Sequence, residues 1–184
     1  MINPTSLQEN HKHLILGGAR SGKSRFAESL VDDCLKKTNI LNSPIYLATA
    51  EAQDEEMKQR ISRHQQDRSA TEIPWQVIEE PIEIAKVIKP LKNNDVILIE
   101  CLTLWLSNCL HQSNWNQQKS LFVEALNHSN AHIMMVSNEV GNGITPINSL
   151  ARKFIDEAGR MHQELAQICN KVSLMTAGLV QTLK

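Results

Sequence analysis

Apolar residues in this chain come in short runs separated by longer amphipathic stretches, and the alternation repeats from residue 13 to residue 176. His13-Leu14-Ile15-Leu16 is a compact apolar run that stops at Gly17-Gly18. Over residues 24–35, Phe26, Ala27, Leu30, Val31 and Cys34 recur at helical spacing, so the opening unit reads strand, glycine loop, helix. Residues 44–49 read as a second strand. Residues 54–68 read as a charged helix capped by Asp54, with Met57 and Ile61 as a narrow apolar stripe. A short strand over 75–78 and a short helix over 82–88, closed by Pro90, come next. Asp95-Val96-Ile97-Leu98-Ile99-Glu100 is apolar without alternation, the pattern of a central parallel strand covered on both faces. Helical spacing returns over 102–111 and 117–127, followed by a buried strand over 131–137. Residues 146–170 predict the longest helix, with Ile147, Leu150, Phe154, Ala158, Met161, Leu165 and Ile168 on one face, and 171–176 predict a final strand. Strands alternating with helices imply an α/β fold, a mostly parallel sheet flanked by helices, with ligands beyond the carboxyl ends of the strands.

Composition narrows this further. A length of 184 residues suits one domain, read as residues 13–184, behind a polar leader over residues 1–12 that has no apolar anchor and is expected to be flexible. Nineteen Lys and Arg against 20 Asp and Glu leave a formal charge of −1, which argues against a nucleic-acid-coating surface. An aromatic content of 4% argues against a base-stacking platform. Cys34, Cys101, Cys109 and Cys169 have no C-x-x-C spacing and read as reduced cytosolic thiols. No apolar run reaches about 18 residues, so no integral membrane segment is expected and the protein is placed in the cytoplasm.

The glycine loop carries the first specific chemistry. Gly17-Gly18-Ala19-Arg20-Ser21-Gly22-Lys23-Ser24 fits G-x-x-x-x-G-K-S, the P-loop, in the required setting between a strand and a helix. Backbone N–H groups of such a loop close on phosphate oxygens, and Lys23 adds a point charge for the β- and γ-phosphates. The Ser24 hydroxyl suits Mg²⁺, and the helix that begins there aims its positive end at the anion. Glu100 ends a central strand, where P-loop proteins keep an acid for Mg²⁺ or its water.

Among the seven histidines, His64 has distinctive neighbours: Arg60 and Arg68 stand four residues to either side, on the same helical face. Flanking guanidiniums would hold the imidazole neutral and nucleophilic, and would grip a triphosphate. By spacing alone, a solvated helix face with the ring against Met57 or Ile61 fits better.

The residues also resemble a known family, the bifunctional adenosylcobinamide kinase / adenosylcobinamide-phosphate guanylyltransferases. The resemblance runs through Gly17 to Arg25, Tyr46-Leu47-Ala48-Thr49-Ala50, Asp54-Glu55-Glu56-Met57 and Arg60-Ile61-Ser62-Arg63-His64. It continues through Ile97-Leu98-Ile99-Glu100-Cys101-Leu102-Thr103, Val136-Ser137-Asn138-Glu139-Val140-Gly141 and Ala158-Gly159-Arg160. It implies a RecA-like P-loop fold, a trimeric assembly and two reactions of cobalamin biosynthesis. In the first, ATP or GTP phosphorylates the aminopropanol hydroxyl of adenosylcobinamide. In the second, GTP donates GMP to that phosphate through a guanylyl-histidine, giving adenosylcobinamide-GDP and pyrophosphate. His64 matches the family's nucleophile, which reverses the preference drawn from spacing.

The implied nucleotide contacts are the loop residues Gly17, Gly18, Ala19, Arg20, Ser21, Gly22, Lys23 and Ser24; then Thr49, Ala50 and Glu51; then Gln65, Gln66, Asp67 and Arg68; and finally Glu79 and Glu100. Two positions depart from the family pattern. Gln65-Gln66-Asp67 stands where many members have a basic or glycine-containing stretch, and His162 stands where asparagine is common, its apolar spacing marking a helix-edge histidine. The loop Asn138 to Pro146 reads either as a turn into the long helix or as a corrinoid- or nucleotide-facing segment. Two other classes also use such a loop: a different small P-loop metabolite kinase, and a non-catalytic NTP-binding switch.

Overall fold

The strand residues that lack alternation are buried on both sides, because each strand sends successive side chains to two different helical layers. A computed structural model describes residues 11–38, 40, 42–51, 55, 58, 59, 62 and 73–184. Its strands are β1 (Lys12–Gly17), β2 (Ile45–Ala48), β3 (Gln76–Glu79), β4 (Val96–Glu100), β5 (His132–Asn138), β6 (Lys171–Thr176) and β7 (Leu179–Thr182). Its helices are α1 (Lys23–Thr38), α2 (Ile84–Ile88), α3 (Leu102–His111), α4 (Trp115–His128) and α5 (Ser149–Ile168). Leu14, Leu16, Ile97, Ile99, Ile133 and Met135 face one layer, built from α2, α3, α4 and α5. Ile15, Val96, Leu98, Met134 and Val136 face the other, where α1 supplies Ala27 and Val31. The period of two along β1, β4 and β5 is thus present in direction, and hidden in composition because both faces are dry.

The seven-stranded sheet has the order β3-β2-β4-β5-β1-β6-β7. All neighbours pair in parallel except β6 and β7, which are antiparallel. One strand, β5, separates the loop-bearing β1 from β4, the arrangement of RecA-like P-loop proteins. The α/β fold expected from the alternation, a mostly parallel sheet flanked by helices, is therefore present.

Several boundaries differ from the sequence expectation. β1 begins at Lys12, one residue before the expected apolar run, and the Lys12 N–H donates to Asn170 Oδ1 at 2.9 Å. Residues 1–10 lie outside the described residues. The long helix starts at Ser149, not at 146, because Asn148 caps it: its Oδ1 accepts from the N–H of Leu150 at 2.8 Å and Ala151 at 3.1 Å. Ile147 is 97% exposed and Leu150 53%, so the buried stripe begins only at Phe154. β7 had no expectation at all. The expected helix over 54–68 lies mostly outside the described residues; Glu55, Lys58, Gln59 and Ser62 are helical.

A buried histidine on β1 is expected to make the fold acid-sensitive. His13 is 7% exposed, and its Nε2 lies 2.8 Å from Ser173 Oγ on the neighbouring strand. Burial, then the charges of Lys171 and His11, lower its pKa from 6.5 to about 4. The unfolded chain takes up this proton near pH 6.5 and the folded chain only near 4, so stability falls as pH drops through that window. The loss is up to about 3 kcal/mol, at about 1.4 kcal/mol per pH unit. Urea midpoints at pH 7 and pH 4.5 are expected to converge in His13→Asn relative to the parent. An equal acid drop in both proteins would contradict this.

Candidate active site

The phosphate loop leaves β1 at Gly17 and enters α1 at Lys23, at the carboxyl end of the sheet where a parallel α/β fold gathers its ligands. Gly18, Ala19, Arg20 and Gly22 are exposed, whereas Ser21 and Lys23 are each 7% exposed. Arg20 takes a positive φ of 56°, the local bend that turns the loop back on itself. Lys23 Nζ donates to the Gly18 carbonyl at 2.5 Å and lies 3.5 Å from Ser21 Oγ, so the ammonium is folded over its own loop. Burial lowers the Lys23 pKa, and nearby Cys101 and Glu100 offset part of that shift. A cation held this way has few protein partners to give up when a phosphate arrives.

Ser24, one residue further along α1, donates its hydroxyl to Glu100 Oε1. The contact spans β5, because α1 lies across the strands and packs Ala27 and Val31 against Leu98 of β4 and Met134 of β5. Two oxygen side chains meeting beside the loop's lysine form a donor set that suits a hard divalent cation.

Strand ends place the remaining expected residues. Glu79 and Glu100 pair in register with the two sides of Ala48, so they flank it at the same sheet end, about 10 Å apart across two strand spacings. Glu79 is exposed on the edge strand, and Ala50 and Glu51 are half-buried just beyond β2. Thr49 is fully buried: its hydroxyl donates to the Cys101 carbonyl at 2.8 Å and its N–H to the Glu100 carbonyl at 3.0 Å. Its own carbonyl accepts from Asn108 Nδ2 at 2.9 Å. Thr49 thus ties the end of β2 to the strand end that carries Glu100. His64, Gln65, Gln66, Asp67 and Arg68 lie outside the described residues, as does Arg60.

Some contacts at this end carried no sequence signal. Thr103 Oγ1 accepts from Asn138 Nδ2 at 3.0 Å and sits 3.2 Å from Cys101 Sγ, joining the start of α3 to the end of β5. The Glu139 N–H donates to the Gly17 carbonyl at 2.9 Å, fixing the start of the loop. His162 is not a helix-edge residue. It is 8% exposed, its Nε2 lies 2.7 Å from Ser137 Oγ of β5, and its Nδ1 is 3.9 Å from Glu139 Oε2. Burial lowers its pKa, with Glu139 opposing the shift. The Ser137 side chain is fully buried, so this trio supports the strand end instead of offering a nucleophile.

The sheet order, the loop and the Ser24–Glu100 pair define a RecA-like P-loop nucleotide-binding protein. A family model for cobinamide kinase / cobinamide phosphate guanyltransferase matches residues 13–183, and the chain belongs to that family. It is 39% identical over 177 residues to the bifunctional adenosylcobalamin biosynthesis protein CobP of Pseudomonas aeruginosa, covering 94% of this chain and 97% of that one. It is 34% identical over 183 residues to the bifunctional adenosylcobalamin biosynthesis protein CobU of Escherichia coli K12, covering 90% and 96%. The same figures hold for the CobU protein of Salmonella typhimurium. A KaiC-like protein from Pyrococcus horikoshii OT3 has a solved structure similar at a TM-score of 0.45 and 13% identity, over 90% of this chain and 71% of that one.

Proposed function

We propose that this chain phosphorylates adenosylcobinamide and then guanylylates the product, two consecutive steps of adenosylcobalamin biosynthesis. The observation that carries the reading is the convergence of Lys23, Ser24 and Glu100 at one end of the sheet, in a chain that matches the family over residues 13–183. In the kinase step the aminopropanol hydroxyl oxygen attacks the γ-phosphorus of ATP or GTP, and the bond to the leaving nucleoside diphosphate breaks. Gly17 to Ser24 bind the phosphates through backbone N–H groups, and the Lys23 ammonium offsets charge on the β- and γ-oxygens. Ser24 and Glu100 are the residues that would hold Mg²⁺, which supplies further charge neutralisation when bound.

In the second step an imidazole nitrogen of His64 attacks the α-phosphorus of GTP and pyrophosphate leaves. An oxygen of adenosylcobinamide phosphate then attacks the guanylyl-histidine, releasing the imidazole and forming adenosylcobinamide-GDP. Arg60 and Arg68 offset the charge that accumulates at the α-phosphate. Ala50 and Glu51, together with Gln65 to Arg68, Glu79 and Glu100, are the further GTP contacts we assign, while buried Thr49 holds the strand end from which Ala50 and Glu51 follow. We place the working enzyme in the cytoplasm as a homotrimer; among the described residues no helix is long and apolar enough to cross a membrane.

Incubation with α-labelled GTP and Mg²⁺ tests the transfer. The expected result is label that survives denaturation, is released by acid, and is absent from His64→Ala. A wild-type protein that neither takes up label nor turns over cobinamide would overturn the reading. Turnover of cobinamide without label would leave a kinase alone.

A further inference from the structure

The phosphate loop touches an element that no nucleotide-binding motif includes, the hairpin formed by β6 and β7. At its tip, Ala177 and Gly178 both take positive φ values, 52° and 80°, between the paired residues Thr176 and Leu179. This is the two-residue turn whose twist matches antiparallel strands, and it demands a residue such as glycine that tolerates the left-handed region. The turn projects onto the loop: the Gly178 N–H donates to the Ser21 carbonyl at 3.0 Å. Below it, Met175 lies against both glycine ends of the loop. A Cβ on Gly17 would stand 2.5 Å from the Met175 carbonyl, and one on Gly22 would stand 3.6 Å from its Cε.

A trans peptide is planar, with its C=O and N–H pointing in opposite directions. Anchoring the Ser21 carbonyl to the hairpin therefore turns the N–H of the same peptide unit, that of Gly22, away from the hairpin. That N–H is one of the donors a phosphate-binding nest needs. We propose that Gly178 is a positioning residue for phosphate binding, its backbone N–H presetting the Ser21–Gly22 peptide so that the loop is organised before the nucleotide arrives. The inference rests on the nucleotide-binding reading of the loop. It adds that the C-terminal hairpin is part of the binding apparatus.

Thermodynamic reciprocity makes this testable in the unaltered protein. If the hairpin bond favours phosphate binding, bound phosphate strengthens the hairpin bond by the same factor. Exchange of the Gly178 amide hydrogen is therefore expected to slow by about fivefold when the full-length protein is saturated with inorganic pyrophosphate, the scale of one such hydrogen bond.

The direct variant replaces the Gly178 residue by glycolic acid, turning one amide into an ester and deleting only the N–H. Native Cys169 permits it, by joining residues 1–168 to a synthetic peptide 169–184. Relative to the all-amide ligated protein, pyrophosphate is expected to bind about fivefold more weakly and KM for the triphosphate to rise with little change in kcat, while guanosine affinity stays the same. Unchanged pyrophosphate affinity, even with a lowered Tm, would reduce the bond to a structural contact and overturn the proposal. So would a Gly178 amide whose exchange ignores pyrophosphate. A wild-type protein that does not bind pyrophosphate would instead remove the nucleotide reading of the loop.

Discussion

Lys23→Ala is expected to lower cobinamide phosphorylation by about a hundredfold to a thousandfold, while leaving the unliganded fold as stable as before. The catalytic half follows from charge. Phosphoryl transfer asks the protein for positioning and for electrostatic stabilisation in a site shielded from water, and losing one such group costs on the order of 10²–10³ in rate. Lys23 is the loop's own cation, it is 7% exposed, and its ammonium already lies 2.5 Å from the Gly18 carbonyl. The stability half follows from burial. The group sits in surroundings that lower its pKa, chiefly through desolvation, so removing it takes away a charge the fold does not favour. The two halves separate in one experiment. A thermal melt without nucleotide should be unchanged, while stabilisation by saturating nucleotide, about 2.7 kcal/mol at 100 times Kd, should largely vanish. Activity within tenfold of wild type would sink the assignment of Lys23 as the phosphate-binding cation.

Gly17→Ala is expected to destabilise the protein by about 3 kcal/mol, the upper part of the range for forcing extra carbon into a packed site. Its Cβ would lie 2.5 Å from the Met175 carbonyl oxygen and 2.7 Å from Ser21 Oγ, with the backbone at φ +154°. The serine can rotate, but the carbonyl cannot swing away. Met175 pairs with Gly17 on one side and with Val180 on the other, so β1 must separate from β6 or the loop must move off its strand. Either movement displaces the N–H groups that meet phosphate, so nucleotide affinity should fall at least tenfold together with stability. Gly18→Ala is the control, because nothing lies within 4 Å of a Cβ there. Urea titration of the two variants decides the matter: equal midpoints would show that the crowding at Gly17 relaxes without cost.

The pair of glycines shows where sequence reading reaches its limit. Gly17 and Gly18 are equivalent as letters of a loop motif, and only the position of Met175, 158 residues along the chain, separates a glycine that must be glycine from one with open space. The same holds for Glu100. Its place at a strand end was legible from the apolar run before it, but its hydrogen bond with Ser24 depends on α1 crossing β5. Thr49 has the sequence position of a ligand contact, yet its hydroxyl is committed to the Cys101 carbonyl. His162 had the spacing of a helix edge and is buried, with its Nε2 2.7 Å from Ser137 Oγ of β5, a contact that the periodicity of α5 alone cannot reveal.

Two classes of feature were readable from the chain by itself. Periodicity placed strands β1 to β6 and the described helices α1 to α5, since side-chain direction repeats every two or 3.6 residues whatever the partners are. The glycine-lysine-serine spacing identified a phosphate loop, because that chemistry is local to eight consecutive residues. The tertiary structure decided the rest. It ordered the strands so that β5 separates the loop from Glu100, and it set the start of α5 through the Asn148 side chain instead of the apolar stripe. It also folded Leu179–Thr182, four exposed residues with no buried face to mark them, into a strand whose turn reaches the Ser21 carbonyl. The cap at Asn148 is local, and the apolar stripe hid it; the strand order and the β7 contact share another physical reason. Local periods report which way a side chain points, whereas strand order and long-range hydrogen bonds depend on which distant groups the packed core brings within about 3 Å.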